Sequence, residues 1–246
     1  MGTLAGRTAL VAGGANGIGA ATARVLAARG ATVVVGDREH ERGAAVATEV
    51  GGRFVPLDVT DPAAWAAVEP VDLAYLSAGV MTRLDPVTLA DLTPANWERV
   101  RAVNVDGALH GVFHLVPGMR ARGGGAIVLT GSLAGFVAFP DDPFYAAAKA
   151  SLISLGRSLA GPLGEAGVRI NVICPGEVDT AMLPAQRASF LASRGYRPLR
   201  PEEVAAAVAD TLEGDDTGQV FTLVAGRPRE PYPFGGVPRP VRETQD

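Results

Sequence analysis

The run Thr8-Ala9-Leu10-Val11-Ala12-Gly13-Gly14-Ala15-Asn16-Gly17-Ile18-Gly19 passes from an apolar, strand-like stretch through a glycine-rich turn into an Ala-rich helix. Glycines permit a tight turn and close approach of the backbone to a ligand, while the helix start presents free N–H groups to a phosphate. A glycine string alone is a weak signal. Placed after a strand, before a helix and near the start of the chain, it points to a dinucleotide pyrophosphate held by Gly13, Asn16, Gly17, Ile18 and Gly19. Asp37 closes the next β-branched run, 18 residues past Gly19. A carboxylate there can bind both hydroxyls of an adenosine ribose and repels a 2′-phosphate, whereas the adjacent Arg38 could bind that phosphate. The carboxylate comes first and the turn carries Asn16 rather than a basic residue, so the balance favours NAD over NADP.

Outward from this turn, β-branched runs alternate with Ala-rich runs. Strands are expected at 8–11, 32–35, 54–57, 73–76, 126–129, 169–173 and 219–223, with helices near 18–29, 39–50, 62–68, 94–121, 144–166 and 202–212. Strands separated by helices are the pattern of βαβ crossovers. The expectation is an α/β fold: a doubly wound, mostly parallel, seven-stranded Rossmann-type sheet with helices on both faces. Pro at a first helical position marks three helix starts, Asp61-Pro62, Thr93-Pro94 and Arg200-Pro201, and the first two also supply a good N-cap. No repeat or linker divides the chain, so residues 1–226 are expected to form one dinucleotide-binding domain. From 227 to 246 the chain is rich in Pro, Gly and Arg, which suit neither a helix nor a central strand. This tail is either a loose terminus or an extended arm whose Tyr232 and Phe234 dock on the body or on a neighbouring subunit.

Composition bounds the function. With 246 residues, 48% hydrophobic and 20% charged, the chain is compact and globular. A net charge of −4 gives no basic footprint for nucleic acid or an anionic membrane surface. One cysteine, Cys174, excludes an internal disulfide and suits a reducing compartment; its apolar surroundings make it a small buried hydrophobe rather than a nucleophile. Residues 1–7 hold no long apolar segment, and no apolar stretch is long enough to span a bilayer. The expected setting is cytoplasmic. His40, His110 and His114 are scattered or lie in helices, so no metal site is expected; Asp141 and Asp142 read as loop residues.

Among 22 basic residues, Lys149 is the single lysine, four residues after Tyr145. Tyr145-Ala146-Ala147-Ala148-Lys149 is strongly helix-forming, and this spacing puts both side chains on one helix face. A phenol beside a compact ammonium makes a proton donor and acceptor that operates near neutral pH, a role the planar guanidinium does not fill.

Taken together, these motifs resemble the short-chain dehydrogenase/reductase family, of the single-domain type, over residues 6–226. They fall in the family's order: Gly13, Gly17 and Gly19, then Asp58-Val59, Ser77-Ala78-Gly79, Asn104, Ser132, Tyr145 with Lys149, and Pro175-Gly176 with Thr180. The resemblance implies that Tyr145 is the general acid in ketone reduction and the general base in alcohol oxidation. It implies that Lys149 lowers the phenol's pKa and holds the nicotinamide ribose. Ser132 would hydrogen-bond the substrate oxygen, and Asn104 would hold a relay water between Lys149 and solvent. For the cofactor, Asp58 would meet the adenine amino group and Val59 would make a backbone contact. Ala78 and Gly79 would pass beneath the adenine ribose, with Ser77 before them on the cofactor side, and Pro175, Gly176, Val178 and Thr180 would surround the nicotinamide. Ala12 and Ser77 depart from the family's usual Thr and Asn, positions that help tie the first and fourth strands together behind the cofactor; losing the Thr hydroxyl would remove about one hydrogen bond, on the order of 1 kcal/mol.

The same resemblance places two stretches beside the reacting carbon. Phe136, Val137, Phe139, Pro140 and Phe144 form one, and Met182, Leu183, Phe190 and Leu191 the other. They suggest an apolar or alicyclic secondary alcohol or ketone; Arg187 and Arg194 could receive an anionic group or form a solvated face. The leading expectation is an NAD(H)-dependent oxidoreductase working as a homo-oligomer, dimer or tetramer, through the helices bearing Asn104 and Tyr145. The rivals are an NADP(H)-dependent ketone or 3-oxoacyl reductase and a non-catalytic nucleotide-binding regulatory protein.

Overall fold

Alternation along the strands decides the layers. In β1 (Thr8–Ala12), Ala9 and Val11 face one core while Leu10 and Ala12 face the other. The same division runs through β4 (Leu73–Leu76) and β5 (Gly125–Thr130), both buried along their whole length. Strands buried on both faces need helices on both faces. The computed structural model, which describes residues 2–236, supplies them.

β2 (Thr32–Asp37), β3 (Arg53–Pro56), β6 (Val168–Pro175) and β7 (Val220–Leu223) complete the parallel set. Against one face pack α1 (Gly17–Ala28), α2 (His40–Glu49) and α7 (Pro201–Glu213), through Leu26, Val46 and Leu212 among others. The other face takes the 3₁₀ turn Ala64–Ala67, the helical run α3 (Pro94–Arg101) and α4 (Gly107–Ala121), and α5 (Pro143–Gly164). A short α6 (Ala185–Ser193) lies over the C-terminal ends of the strands and buries little besides Leu191.

The sheet order is β3-β2-β1-β4-β5-β6-β7, with a further strand, β8 (Glu230–Pro231), at the end. All seven expected strands are therefore present and parallel, and the eighth pairs antiparallel with β7. Pro231 is tolerated there because an edge strand leaves one side unpaired. Beyond β8, Tyr232 stacks on Phe136 at 4.1 Å between ring centroids, and the Arg157 guanidinium lies 3.6 Å over Phe234. The arm thus docks on its own body; Pro238 and Pro240 lie outside the described residues.

Strand order reverses between β1 and β4, the place where an open α/β sheet leaves a crevice at its C-terminal edge. Backbone bonds from Ser77 N–H (2.9 Å) and Ala78 N–H (3.1 Å) to the Ala12 carbonyl close the floor of that crevice. The main chain therefore ties β1 to β4 although Ala12 has no hydroxyl.

Candidate active site

The glycine turn follows from local geometry. Gly13 has φ +84° and Gly17 φ +49°, left-handed conformations that side chains resist. A Cβ on Gly19 would run into the Gly13 carbonyl, so the turn cannot close with a larger residue. Asn16 precedes α1 without a side-chain cap, and the first turn holds no acidic residue. Free N–H groups and the positive end of the helix dipole therefore face the crevice, which suits a pyrophosphate.

The crevice has a volume of about 1240 Å³, above the usual range for one small ligand and ample for a dinucleotide with a substrate. At one end lie Asp37, Arg38, Asp58 and Val59. Asp37 Oδ2 accepts from Ala15 N–H at 2.9 Å and Oδ1 from Glu39 N–H at 3.0 Å, which aims the carboxylate at the turn. Asp58 is held below the usual carboxylate range by the Thr60 hydroxyl and backbone N–H, against partial desolvation and with help from Arg38. The Val59 carbonyl, behind the wall, takes hydrogen bonds from Trp65 Nε1 (3.3 Å) and the His110 ring (3.1 Å). His114 is likewise bonded to the Val68 carbonyl, and no metal-holding group occurs among the described residues.

At the other end stand Ser132, Tyr145 and Lys149. Ser132 follows the end of β5 and caps the 3₁₀ turn Leu133–Gly135. Tyr145 and Lys149 share the inward face of α5, with Lys149 Nζ 5.4 Å from the Tyr145 ring centroid. Burial pushes the Tyr145 phenol up to about 12; the Ser132 hydroxyl opposes this, and the charge of Asp142 adds to it. Burial also pulls the Lys149 ammonium down to about 8. Lys149 is only 2% exposed and donates to the Thr130 carbonyl at 2.7 Å. Thr130 in turn donates to Tyr75 Oη at 2.8 Å, a buried polar chain behind the pair. Burial raises the Cys174 thiol to about 12, as suits a core residue.

The remaining cofactor candidates, Ser77, Ala78, Gly79, Pro175, Gly176, Val178 and Thr180, line the middle of the crevice. Asn104 does not line it. It lies fully buried in a π-helical turn, Ala102–Asp106, between α3 and α4, with Nδ2 donating to the carbonyls of Val80 and Val100, both at 2.8 Å. Its Oδ1 is buried without a hydrogen-bond partner and points towards Gly79 and Lys149. Single-turn π segments recur at functional sites, and only the fold shows this one.

Of the apolar residues expected around the reacting carbon, Val137, Phe139, Met182, Leu183 and Phe190 line the crevice. Phe136 turns outward to the C-terminal arm, Phe144 packs on Trp97, and Leu191 is the buried residue of α6. Arg187 is paired with Glu177. Three contributions are absent from the sequence reading. Arg42 reaches the crevice from α2, bonded to Asn16 Oδ1 at 3.2 Å. Met81 and Leu84 also line the crevice. Asp142 is the buried N-cap of α5 rather than a loop residue; Asp142-Pro143 repeats the cap-then-Pro signature of Thr93-Pro94 at the start of α3, and that signal was available.

The chain is similar to known proteins over most of its length. A family model described as short chain dehydrogenase matches residues 7–189. A 3-alpha-(or 20-beta)-hydroxysteroid dehydrogenase of Mycobacterium bovis is 34% identical over 92% of this chain and 90% of that protein. A cis-4-hydroxycyclohexanecarboxylate dehydrogenase of Sinomonas cyclohexanicum is 38% identical over 82% of this chain and 88% of that protein. Among solved structures, a 3-oxoacyl-[acyl-carrier protein] reductase with bound NAD from Brucella melitensis superposes with a TM-score of 0.84 at 29% identity, covering 91% of this chain and 92% of that one.

Proposed function

The chain belongs to the short-chain dehydrogenase family and is an alcohol/ketone oxidoreductase, and on that premise we propose an NAD(H)-dependent enzyme acting on an alicyclic secondary alcohol or its ketone. One observation carries the reading: Ser132, Tyr145 and Lys149 face the same crevice as the uncapped start of α1. Those residues fit a nicotinamide dinucleotide. Gly13, Asn16, Gly17, Ile18 and Gly19 would cradle its pyrophosphate, Asp37 its adenosine ribose, and Pro175, Gly176, Val178 and Thr180 its nicotinamide. The bound cofactor supplies a hydride acceptor or donor.

The chain's own residues handle the proton. Tyr145, kept neutral by burial, donates its phenolic proton to the carbonyl oxygen during reduction and recovers one from the hydroxyl during oxidation. Ser132 hydrogen-bonds the same oxygen and stabilises the charge that develops there. Lys149 holds a positive charge behind the phenol at low pH and, with Asn104 Oδ1 nearby, offers a route for the replacement proton. Met81, Val137, Phe139, Met182 and Phe190 supply an apolar wall. The names of two relatives, a hydroxysteroid and a hydroxycyclohexanecarboxylate dehydrogenase, support a ring-bearing substrate.

A second reading, NADP(H), is favoured by Arg38 and Arg42 beside Asp37. Calorimetric titration with NADH and NADPH separates the two. Tighter NADH binding supports Asp37 as the ribose selector, and a panel of alicyclic secondary alcohols with NAD follows. Tighter NADPH binding assigns the phosphate to the arginines and overturns the NAD reading.

A further inference from the structure

Asp142 is 0% exposed and stands at the first turn of the helix that carries Tyr145. Its Oδ1 accepts from the Tyr145 backbone N–H at 3.0 Å and from the Thr82 hydroxyl at 2.8 Å, while Oδ2 accepts from the Thr82 backbone N–H at 2.7 Å. A serine or threonine would satisfy an N-cap. A carboxylate taken wholly out of water is costly unless several donors compensate it, and three do so here. Two of them come from Thr82, within the segment whose Met81, Leu84 and Pro86 form a wall of the crevice. A second tie joins the same pieces, Val87 N–H to the Asp141 carbonyl at 2.8 Å. Arg99 holds the segment from its other side, donating to the Thr82 carbonyl at 2.7 Å.

We infer that Asp142 is a positioning residue for the reaction at Tyr145: it locks the start of α5 to the Met81–Pro86 wall, so that the proton-transferring phenol and the substrate wall keep one fixed relation. The inference rests on Tyr145 being the acid/base, as proposed above. The charge of Asp142 has a second consequence. The groups that face the phenol are Ser132 after β5, Cys174 on β6, Tyr75 on β4, Lys149 on α5 and Asp142 itself. Burial and the Asp142 carboxylate act in the same direction, towards the protonated phenol from which ketone reduction begins.

Tyrosine labelled with ¹³C at Cζ reports the phenol directly, and Tyr145→Phe assigns its resonance among the four tyrosines. Amide hydrogen exchange across residues 80–87 reports the clamp. Neither readout needs substrate or cofactor, so failure of the inference is separable from failure of the functional reading, which turnover of Tyr145→Phe tests. In folded Asp142→Asn, the Tyr145 phenolate fraction at pH 11 is expected to rise at least about twofold, and exchange at Thr82 to quicken at least about tenfold. Asp142→Ser, which keeps a cap acceptor without the charge, makes the same test should the Asn variant not fold. Thr82→Val retains the carboxylate and is expected to leave the phenolate fraction at its wild-type value. A wild-type value for either readout in a folded Asp142 variant overturns the inference, as does an equal rise in phenolate in Thr82→Val.

Discussion

Lys149 and Tyr145 show how a site can work against the stability of its own fold. Burial lowers the Lys149 pKa from 10.5 to about 8, so below pH 8 the folded protein carries the full cost of a buried ammonium, at most about 3 kcal/mol. Between about pH 8 and 10.5 the unfolded chain binds more protons at this position than the folded one, and the cost is relieved as pH rises. Lys149→Met is therefore expected to unfold at a higher temperature than wild type at pH 7, by an advantage that shrinks between pH 8 and 10.5, while turnover is lost. Thermal unfolding over that pH range checks the sign. Tyr145→Phe removes the proton but little volume. Turnover is expected to fall by about 10²- to 10⁴-fold while the Kd for NADH, read by calorimetry, stays within about threefold.

Among the elements, the C-terminal arm is the one whose behaviour the fold changes most. Residues with no helix or central-strand signal form an edge strand and an aromatic latch on Phe136. Phe136 follows the turn that Ser132 caps, and its neighbour Val137 lines the crevice, so the arm braces one wall from outside. Tyr232→Ala is expected to cost about 1 kcal/mol of stability and to speed hydrogen exchange over residues 133–139. Unchanged exchange there would leave the arm as a cover for the sheet edge alone. The run from Pro94 to Ala121 is the complementary case. Its periodicity indicates one helix, and it is continuous, but a π turn at its middle turns Asn104 inward.

At the scale of the whole molecule, α4 keeps an apolar stripe through Leu109 and Phe113, with Phe113 66% exposed. The proposed homo-oligomer would cover this face. Phe113→Asp is expected to shift the protein to a smaller species, measured by light scattering after size exclusion. No helix among the described residues is long and apolar enough to cross a membrane. The sheet, its parallel strands and the glycine turn were readable from the chain because each rests on local periodicity and backbone freedom, which residue type alone encodes. Ser132, Tyr145 and Lys149, singled out by their spacing and their likeness to a family, line one crevice. Asp142 was misread although its Asp-Pro cap is a local signal, because nothing nearby in sequence says that Thr82 will arrive to bury it. Arg42, the outward turn of Phe136 and the unpartnered Asn104 Oδ1 were decided only by tertiary structure. Each depends on a contact between segments 20 or more residues apart, and such contacts are set by how the layers pack, which no window of sequence contains.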